Sequence, residues 1–377
     1  MRQAAAKGEA LYPVGGATML DLGLPPTKPG TAVEMAALDR VIDYPARDMT
    51  ITVQAGITVA RLQETLRAEG QQLPVDVPLP DRATIGGAVA TNASGPRRLG
   101  YGTLRDYVIG ISVMNDEGQE VKGGGRVVKN VAGYDLMKLY TGSLGTLGII
   151  TQLTLKVRPL PEGSRWSIIT CESDDVSELL DKLRASATRP CAMTVRGDAA
   201  QGSVTKAAII VGYEDNAKAV EWQVNRMHEE LPARFRDRLL PLGQQSDSLV
   251  AAMRDYPLSA EATMSFKANV LPARGWDFCV RAARKRDLAF QAHAGNGIVF
   301  GHFTETNPDA ARNYLDDLVR FAGECSGNVV VTRCPVAWKS VLPVWGRSTP
   351  DRELMKAVKD KLDPRRVFNP GRFVDGI

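Results

Sequence analysis

The sequence predicts an α+β protein of two domains, the second an antiparallel sheet built from one βαββα unit used twice. Three observations carry this reading. The chain has 377 residues, more than one hydrophobic core usually organises. Pro159 and Pro161, in VRPLPEGS, interrupt the pattern once and sharply. Beyond them the order strand, helix, strand, strand, helix is written, and after a polar stretch it is written again. The expected boundaries are residues 1–161, residues 162–332 and a C-terminal segment, 333–377, that returns to the first domain.

In the first domain, MRQAAAKG is helix-forming and Ala10 to Val14 reads as a short strand ending in a Gly pair. Val33 to Met35, Arg40 to Tyr44 and Thr50 to Gln54 follow as β segments. Thr58 then caps VARLQETLRAEG, whose Val59, Leu62 and Leu66 fall at helical spacing and whose end is Gly70. Val108 to Val121 and Ile149 to Val157 are β-rich.

In the second domain, WSIITCES, CAMTVRG and KAAIIVGYE read as strands, with DDVSELLDKLRAS and NAKAVEWQVNRMHEEL as helices. A polar stretch with one helix, QQSDSLVAAMRDY, separates this unit from its repeat. The repeat consists of TMSFKANVL, ARGWDFCVRAARKR, DLAFQAHA, GIVFGHF and PDAARNYLDDLVRFAGE, and GNVVVTR adds a last strand. RELMKAVKDKL is a helix closed by Asp363-Pro364, and NPG makes the tail extended.

Composition excludes several functions. Basic residues number 47 and acidic residues 43, for a net charge of +4, and the two signs are interspersed. No basic stripe marks a nucleic-acid partner. Five widely spaced cysteines form no CxxC pair, which argues against an iron–sulfur cluster, a zinc knuckle or a disulfide framework and places the chain in a reducing cytoplasm. No apolar run approaches the ~18 residues of a membrane span.

Three Gly-rich pieces mark the first domain: PVGGATM, ATIGGAVATNASGPRRLGYGTLRD and GSLGTLGII. Glycines allow close approach of backbone to a ligand, and successive free N–H groups form a nest for an anion. The alternative is a set of tight turns. No GxGxxG follows a strand and opens a helix, and no GxxxxGK[ST] occurs, which weakens the nicotinamide-dinucleotide and nucleoside-triphosphate readings.

These pieces, together with KNVAGYDLMKLY and the closing DPRRVFNPGRFV, resemble the FAD-binding family of vanillyl-alcohol oxidase and p-cresol methylhydroxylase. Within it, the resemblance is to the branch of the FAD-binding subunits of bacterial glycolate oxidases. It covers nearly all of residues 10–160 and the last forty, and is thin between. It implies a two-lobed FAD-binding domain and an antiparallel-sheet cap domain. Val14, Gly15, Gly16, Ala17, Thr18 and Met19 would form the pyrophosphate loop. Thr84, Gly86 and Gly87 would make the turn beside the flavin, and Asn92, Ser94, Gly95 and Gly102 a second cradle. Ile149 and Ile150 would meet the far end of the cofactor, and Asn369 would return towards its ring. Relatives carry a further strand and helix ahead of the position of Met1, GSEGT where this chain has Leu144, and in some cases a third glycine at Ala17. Some also attach FAD covalently, whereas neither histidine nor cysteine precedes Cys171 here, so FAD bound without a covalent link is expected.

Catalytic candidates are few. His293 and His302 lie in QAHAGNGIVFGHF, which is similar to the HxGDGNxH segment of 2-hydroxy-acid dehydrogenases. The spacing is nine rather than seven and Asn296 replaces an aspartate, so no metal is expected. Nine residues on one ideal strand would set the rings on opposite faces, although the Gly-rich turn spoils the count. His293 is either a core residue or lies beside substrate. Arg333 and Arg372 could pair with a carboxylate. Lys129, Tyr134 and Asp135 suit a capping or flavin-neighbourhood role. The resemblance implies hydride transfer from a small 2-hydroxy acid to FAD, with electrons leaving to a larger flavoprotein subunit and an iron–sulfur subunit at the inner membrane face. Two alternatives stay open: a flavin-carrying relay subunit without substrate oxidation of its own, and an FAD-dependent reductase served by a nicotinamide donor.

Overall fold

Short β segments punctuated by glycine and polar turns can close their hydrogen bonds only by pairing with one another. The computed structural model describes residues 2–125, 134–243, 246–258, 261–284 and 286–377. The chain divides into two units, one of Met1–Ser94, Thr103–Leu160 and Ser348–Ile377, the other of Gly95–Gly102 and Pro161–Arg347. Relative to the expected boundaries, the tail joins the first unit from Ser348 rather than 333. Residues 334–347 stay with the sheet of the second unit, because Val331 N–H donates to Val344 O at 2.9 Å and Asn328 Nδ2 to Trp345 O at 3.0 Å.

In the first unit, β1 (Ala10–Val14) lies parallel to β2 (Gly30–Glu34). β3 (Val41–Asp43) and β4 (Thr50–Gln54) precede the short β5 (Gln71–Gln72). The β-rich run from Val108 is a hairpin, β6 (Val108–Met114) and β7 (Glu120–Gly124), because Asn115 Oδ1 accepts from Glu117 N and Gln119 N and closes the turn. β8 (Ile149–Lys156) completes an antiparallel sheet of order β3-β4-β8-β6-β7, and β9 (Arg158–Pro159) pairs with β5. Thr58 caps the helix Val59–Arg67 by accepting from Arg61 N at 3.3 Å, which turns Val59, Leu62 and Leu66 into the core. There they meet Ile51, Val53, Ile85, Val89 and Leu153, each fully buried side chain contributing about 1.5–3 kcal/mol.

The second unit holds β10 (Gly163–Glu172), β11 (Ala192–Ala199), β12 (Lys206–Asp215), β13 (Leu239–Leu242), β14 (Met264–Asn269), β15 (Leu288–His293), β16 (Ile298–Phe303) and β17 (Asn328–Arg333). All are antiparallel in one sheet of order β13-β10-β12-β11-β15-β16-β14-β17. The two repeats therefore meet through their second strands, β11 and β15, with Thr194 opposite His293. β13 is absent from the sequence reading. It pairs with β10 as β17 pairs with β14, so each repeat ends in a further strand. Pro241 within LLPL concealed it, since proline in a strand is tolerated at an edge, where β13 lies. No helix among the described residues is long and apolar enough to cross a membrane.

Candidate cofactor loops and sheet face

In the first unit the Gly-rich segments converge on the end of β1 and the C-terminal tail. A Cβ on Gly15 would lie 2.1 Å from Thr84 Oγ1, and one on Gly16 would lie 1.7 Å from Arg82 O. Only glycine lets this loop rest against residues 82–84. Thr84 caps the helix Ile85–Thr91 by accepting from Gly87 N at 3.3 Å, and Asn92 ends it in the left-handed region at φ 49°. The third segment docks there: Gly142 N–H donates to Val89 O and Leu144 N–H to Ala90 O, at 3.0 and 2.8 Å. Asn369 Nδ2 donates to Leu144 O at 2.8 Å, and Asn369 N–H to Leu11 O at 3.2 Å. Arg372 Nη2 donates to Met19 O at 2.8 Å, fastening the tail to the first loop. Ile149 and Ile150 open β8, facing Met114 and Val113 of β6.

Four of the five groups of cofactor candidates thus belong to one unit and share this framework. Ser94 closes the first stretch of that unit, while Gly95 and Gly102 bound the eight residues that belong to the second unit. Those residues are held to the second sheet by Gly100 N–H donating to Cys191 O at 3.0 Å. Arg97 Nη1 adds an ion pair to the Glu214 carboxylate at 3.3 Å, and Tyr101 OH donates to Glu214 Oε2 at 2.9 Å. A Cβ on Gly100 would meet Cys191 Cα at 2.8 Å, so chain packing rather than a ligand accounts for this glycine.

The framework fits a large polar ligand. Asn92 Oδ1, Ser143 Oγ and Arg372 Nε are buried and have no hydrogen-bond partner among the described residues, and an interior polar atom without a partner costs free energy until a ligand supplies one. Asp135 takes a capping role, its Oδ1 accepting from Lys138 N at 3.2 Å, while Tyr134 is 90% exposed. Lys129 lies outside the described residues.

In the second unit one face of the sheet is polar. Cross-strand register sets Lys267, Phe300, Gln291 and Arg196 in a row across β14, β16, β15 and β11, and Asn269, Ile298, His293 and Thr194 in the next. His293 and His302 therefore share this face, because the 294–297 turn restores the side that odd spacing on one strand would reverse. His302 is fully engaged, Nδ1 lying 2.8 Å from Ser265 Oγ and Nε2 2.9 Å from Tyr256 O. Burial, with the Arg333 charge nearby, holds its pKa below the ordinary histidine value. His293 is 1% exposed, edge-on to the Phe300 ring, with Nε2 3.2 Å from Gln291 Nε2. Arg333 ends β17 and donates through Nη2 to Leu258 O at 3.4 Å. Of the three catalytic candidates, His293 and Arg333 belong to this unit and Arg372 to the first.

The sequence reading missed Lys267. It lies on the polar face next to the Arg98 charge, and no carboxylate among the described residues pairs with it. Burial first, and Arg98 second, lower its pKa to about 8. The available signal was a single cation inside the apolar strand TMSFKANVL.

A family model described as an FAD binding domain matches residues 1–124. The chain is 37% identical over 411 residues to the probable mitochondrial D-lactate dehydrogenase of Danio rerio, spanning 97% of this chain and 79% of that protein. The chain belongs to this family of FAD-dependent oxidoreductases. In the same family, glycolate oxidase subunit GlcD of Bacillus subtilis (strain 168) is 26% identical over 395 residues, covering 96% of this chain and 83% of that protein. Glycolate oxidase subunit GlcE of Escherichia coli (strain K12) is 32% identical over 222 residues, 56% of this chain and 61% of that protein. Among solved structures, alkyldihydroxyacetonephosphate synthase superposes with a TM-score of 0.69 at 17% identity, covering 99% of this chain and 74% of that one. That likeness bears on the fold, a flavoprotein α+β architecture of the vanillyl-alcohol oxidase type. As a family member the chain takes FAD as its cofactor, and no histidine or cysteine precedes Cys171 to bind it covalently.

Proposed function

We propose that the chain oxidises a short 2-hydroxy acid, glycolate or D-lactate, to the 2-oxo acid as a subunit of a larger complex. The observation that carries this is the half-buried cation Lys267 beside the Arg98 charge, on a sheet face that also presents His293 and Gln291. Lys267, with no carboxylate among the described residues paired to it, suits a small anion, whose carboxylate supplies the opposite charge. When bound, FAD supplies the acceptor for the hydride released from C2. Lys267 holds the carboxylate, and His293 is the candidate that takes the hydroxyl proton. Arg333 and Arg372 are the other carboxylate-binding candidates, and Arg372 has an Nε without a partner among the described residues. Val14 to Met19, Thr84, Gly86, Gly87, Asn92, Ser94, Ile149, Ile150 and Asn369 are the proposed cofactor contacts, with Gly95 and Gly102 at the ends of the segment from the second unit. The relatives named as glycolate oxidase subunits support assembly with other subunits; in this proposal electrons leave to a larger flavoprotein subunit and an iron–sulfur subunit.

A second reading, a flavin-carrying relay without its own substrate oxidation, is favoured by His302, whose two ring nitrogens are both committed to the protein. One experiment separates the two. The purified yellow protein is mixed anaerobically with glycolate or D-lactate, and flavin absorbance is followed. Bleaching in the wild type that K267M loses supports substrate oxidation. A wild type that never bleaches, yet restores turnover when added to its partner subunits, supports the relay.

A further inference from the structure

The third Gly-rich segment and the C-terminal tail are tied together at one buried ammonium. Lys359, on the helix Asp351–Leu362, is 0% exposed, as is Asp363. Its Nζ donates to Thr146 O at 2.6 Å, to Phe368 O at 2.9 Å and to Asp363 Oδ2 at 2.6 Å. Each of the three ammonium protons therefore has one acceptor. Asp363 in turn accepts from Val367 N and Phe368 N, both at 2.9 Å.

Thr146 and Phe368 are informative partners. Thr146 closes the turn that holds Leu144 and Gly145 in the left-handed region, at φ 53° and 68°. Thr146 N–H and Oγ1 both donate to Ser143 O, at 3.0 and 2.7 Å. Phe368 precedes Asn369, whose Nδ2 reaches back to Leu144 O at 2.8 Å. A closed ring results, running from Lys359 through Thr146, Leu144 and Asn369 to Phe368 and back. The ring adjoins Ser143, whose buried Oγ has no partner among the described residues. A salt bridge adding only stability would need neither carbonyl. Here two of three protons are spent on two chain segments far apart in sequence.

We propose that Lys359, held by Asp363, is a positioning residue for the cofactor: it sets the backbone of residues 143–146 and 368–369 without touching the FAD. The inference rests on the reading that these segments line the cofactor. The test uses the full chain and the variants K359M/D363N, which removes both buried charges while its amide oxygen still accepts from one of the two amides, Val367 N or Phe368 N, and N369A, which opens the same ring without any change of charge. L62A, in the hydrophobic core of the same unit, serves as the control for general destabilisation. Hydrogen exchange is measured on the flavin-free protein, and FAD affinity by quenching of flavin fluorescence. In K359M/D363N the amides of residues 144–146 and 368–369 should exchange about tenfold faster, and FAD should bind about tenfold more weakly, the effect of losing one charged hydrogen bond. N369A should show both effects even where the double variant does not fold, and L62A should melt earlier while keeping its affinity for FAD. Faster exchange with unchanged FAD affinity overturns the proposal through the cofactor-loop reading. Unchanged exchange overturns it through the tie itself.

Discussion

Lys267 allows a prediction with two opposite signs. Its pKa in the folded protein is about 8, against 10.5 for the free side chain. Between these values the unfolded chain binds a proton that the folded chain does not, so stability rises with pH from about 8 to 10.5 and the gain is lost as pH falls through 8. The difference of 2.5 between the two pKa values corresponds to about 3 kcal/mol. Other groups titrate in the same window: burial raises the pKa of Tyr213 to about 12 and so favours unfolding at high pH. The quantity to measure is therefore the difference between wild type and K267M. All five tryptophans, at 166, 222, 276, 338 and 345, lie in the second unit, so urea unfolding followed by tryptophan fluorescence reports on that unit alone. Wild type should gain about 3 kcal/mol on K267M between pH 7.5 and 10.5. Affinity for oxalate, a two-carboxylate anion, should move the other way, falling up to tenfold per pH unit above 8 in wild type alone. Parallel stability profiles for the two proteins would refute the assignment of Lys267 as a half-buried, titrating cation.

Other perturbations follow from the same contacts. Gly16→Ala puts a Cβ 1.7 Å from Arg82 O, so the first loop must leave residues 82–84; FAD binding should weaken more than about tenfold with far-ultraviolet circular dichroism unchanged. Thr84→Ala removes the cap of the helix Ile85–Thr91 and should cost about 1 kcal/mol, read from the denaturation midpoint of the flavin-free protein. Arg97→Met leaves the Glu214 carboxylate with Tyr101 OH as its side-chain donor among the described residues, a loss of about 3–5 kcal/mol. Adding Glu214→Gln should recover most of that loss, and simple additivity in the double-mutant cycle would show that the pair is not coupled.

The strands and helices of the second unit were legible because period-2 and period-3.6 patterns survive intact in them, as in KAAIIVGYE and PDAARNYLDDLVRFAGE. The converging segments of the first unit were legible from their glycines and from NPG. Lys267 was not, because a cation in an alternating strand reads as facing water, and only the folded sheet draws it out of solvent beside the Arg98 charge. Lys359 likewise reads as a solvated i,i+4 pair with Asp363 in KAVKDKLD. It is interior because the tail folds back across its own helix.

By itself, then, the sequence determined the local alphabet: which segments are strand or helix, where side chains must be missing, and the repeat that orders the second sheet. Tertiary structure alone decided which faces those strands share, bringing His293 and His302 to one side. It also assigned residues 95–102 to the second unit, buried Lys359 and drew Lys267 partly out of solvent. The physical reason is that periodicity and glycine act within a few residues, whereas burial, register and the partner of a charge depend on segments hundreds of residues apart.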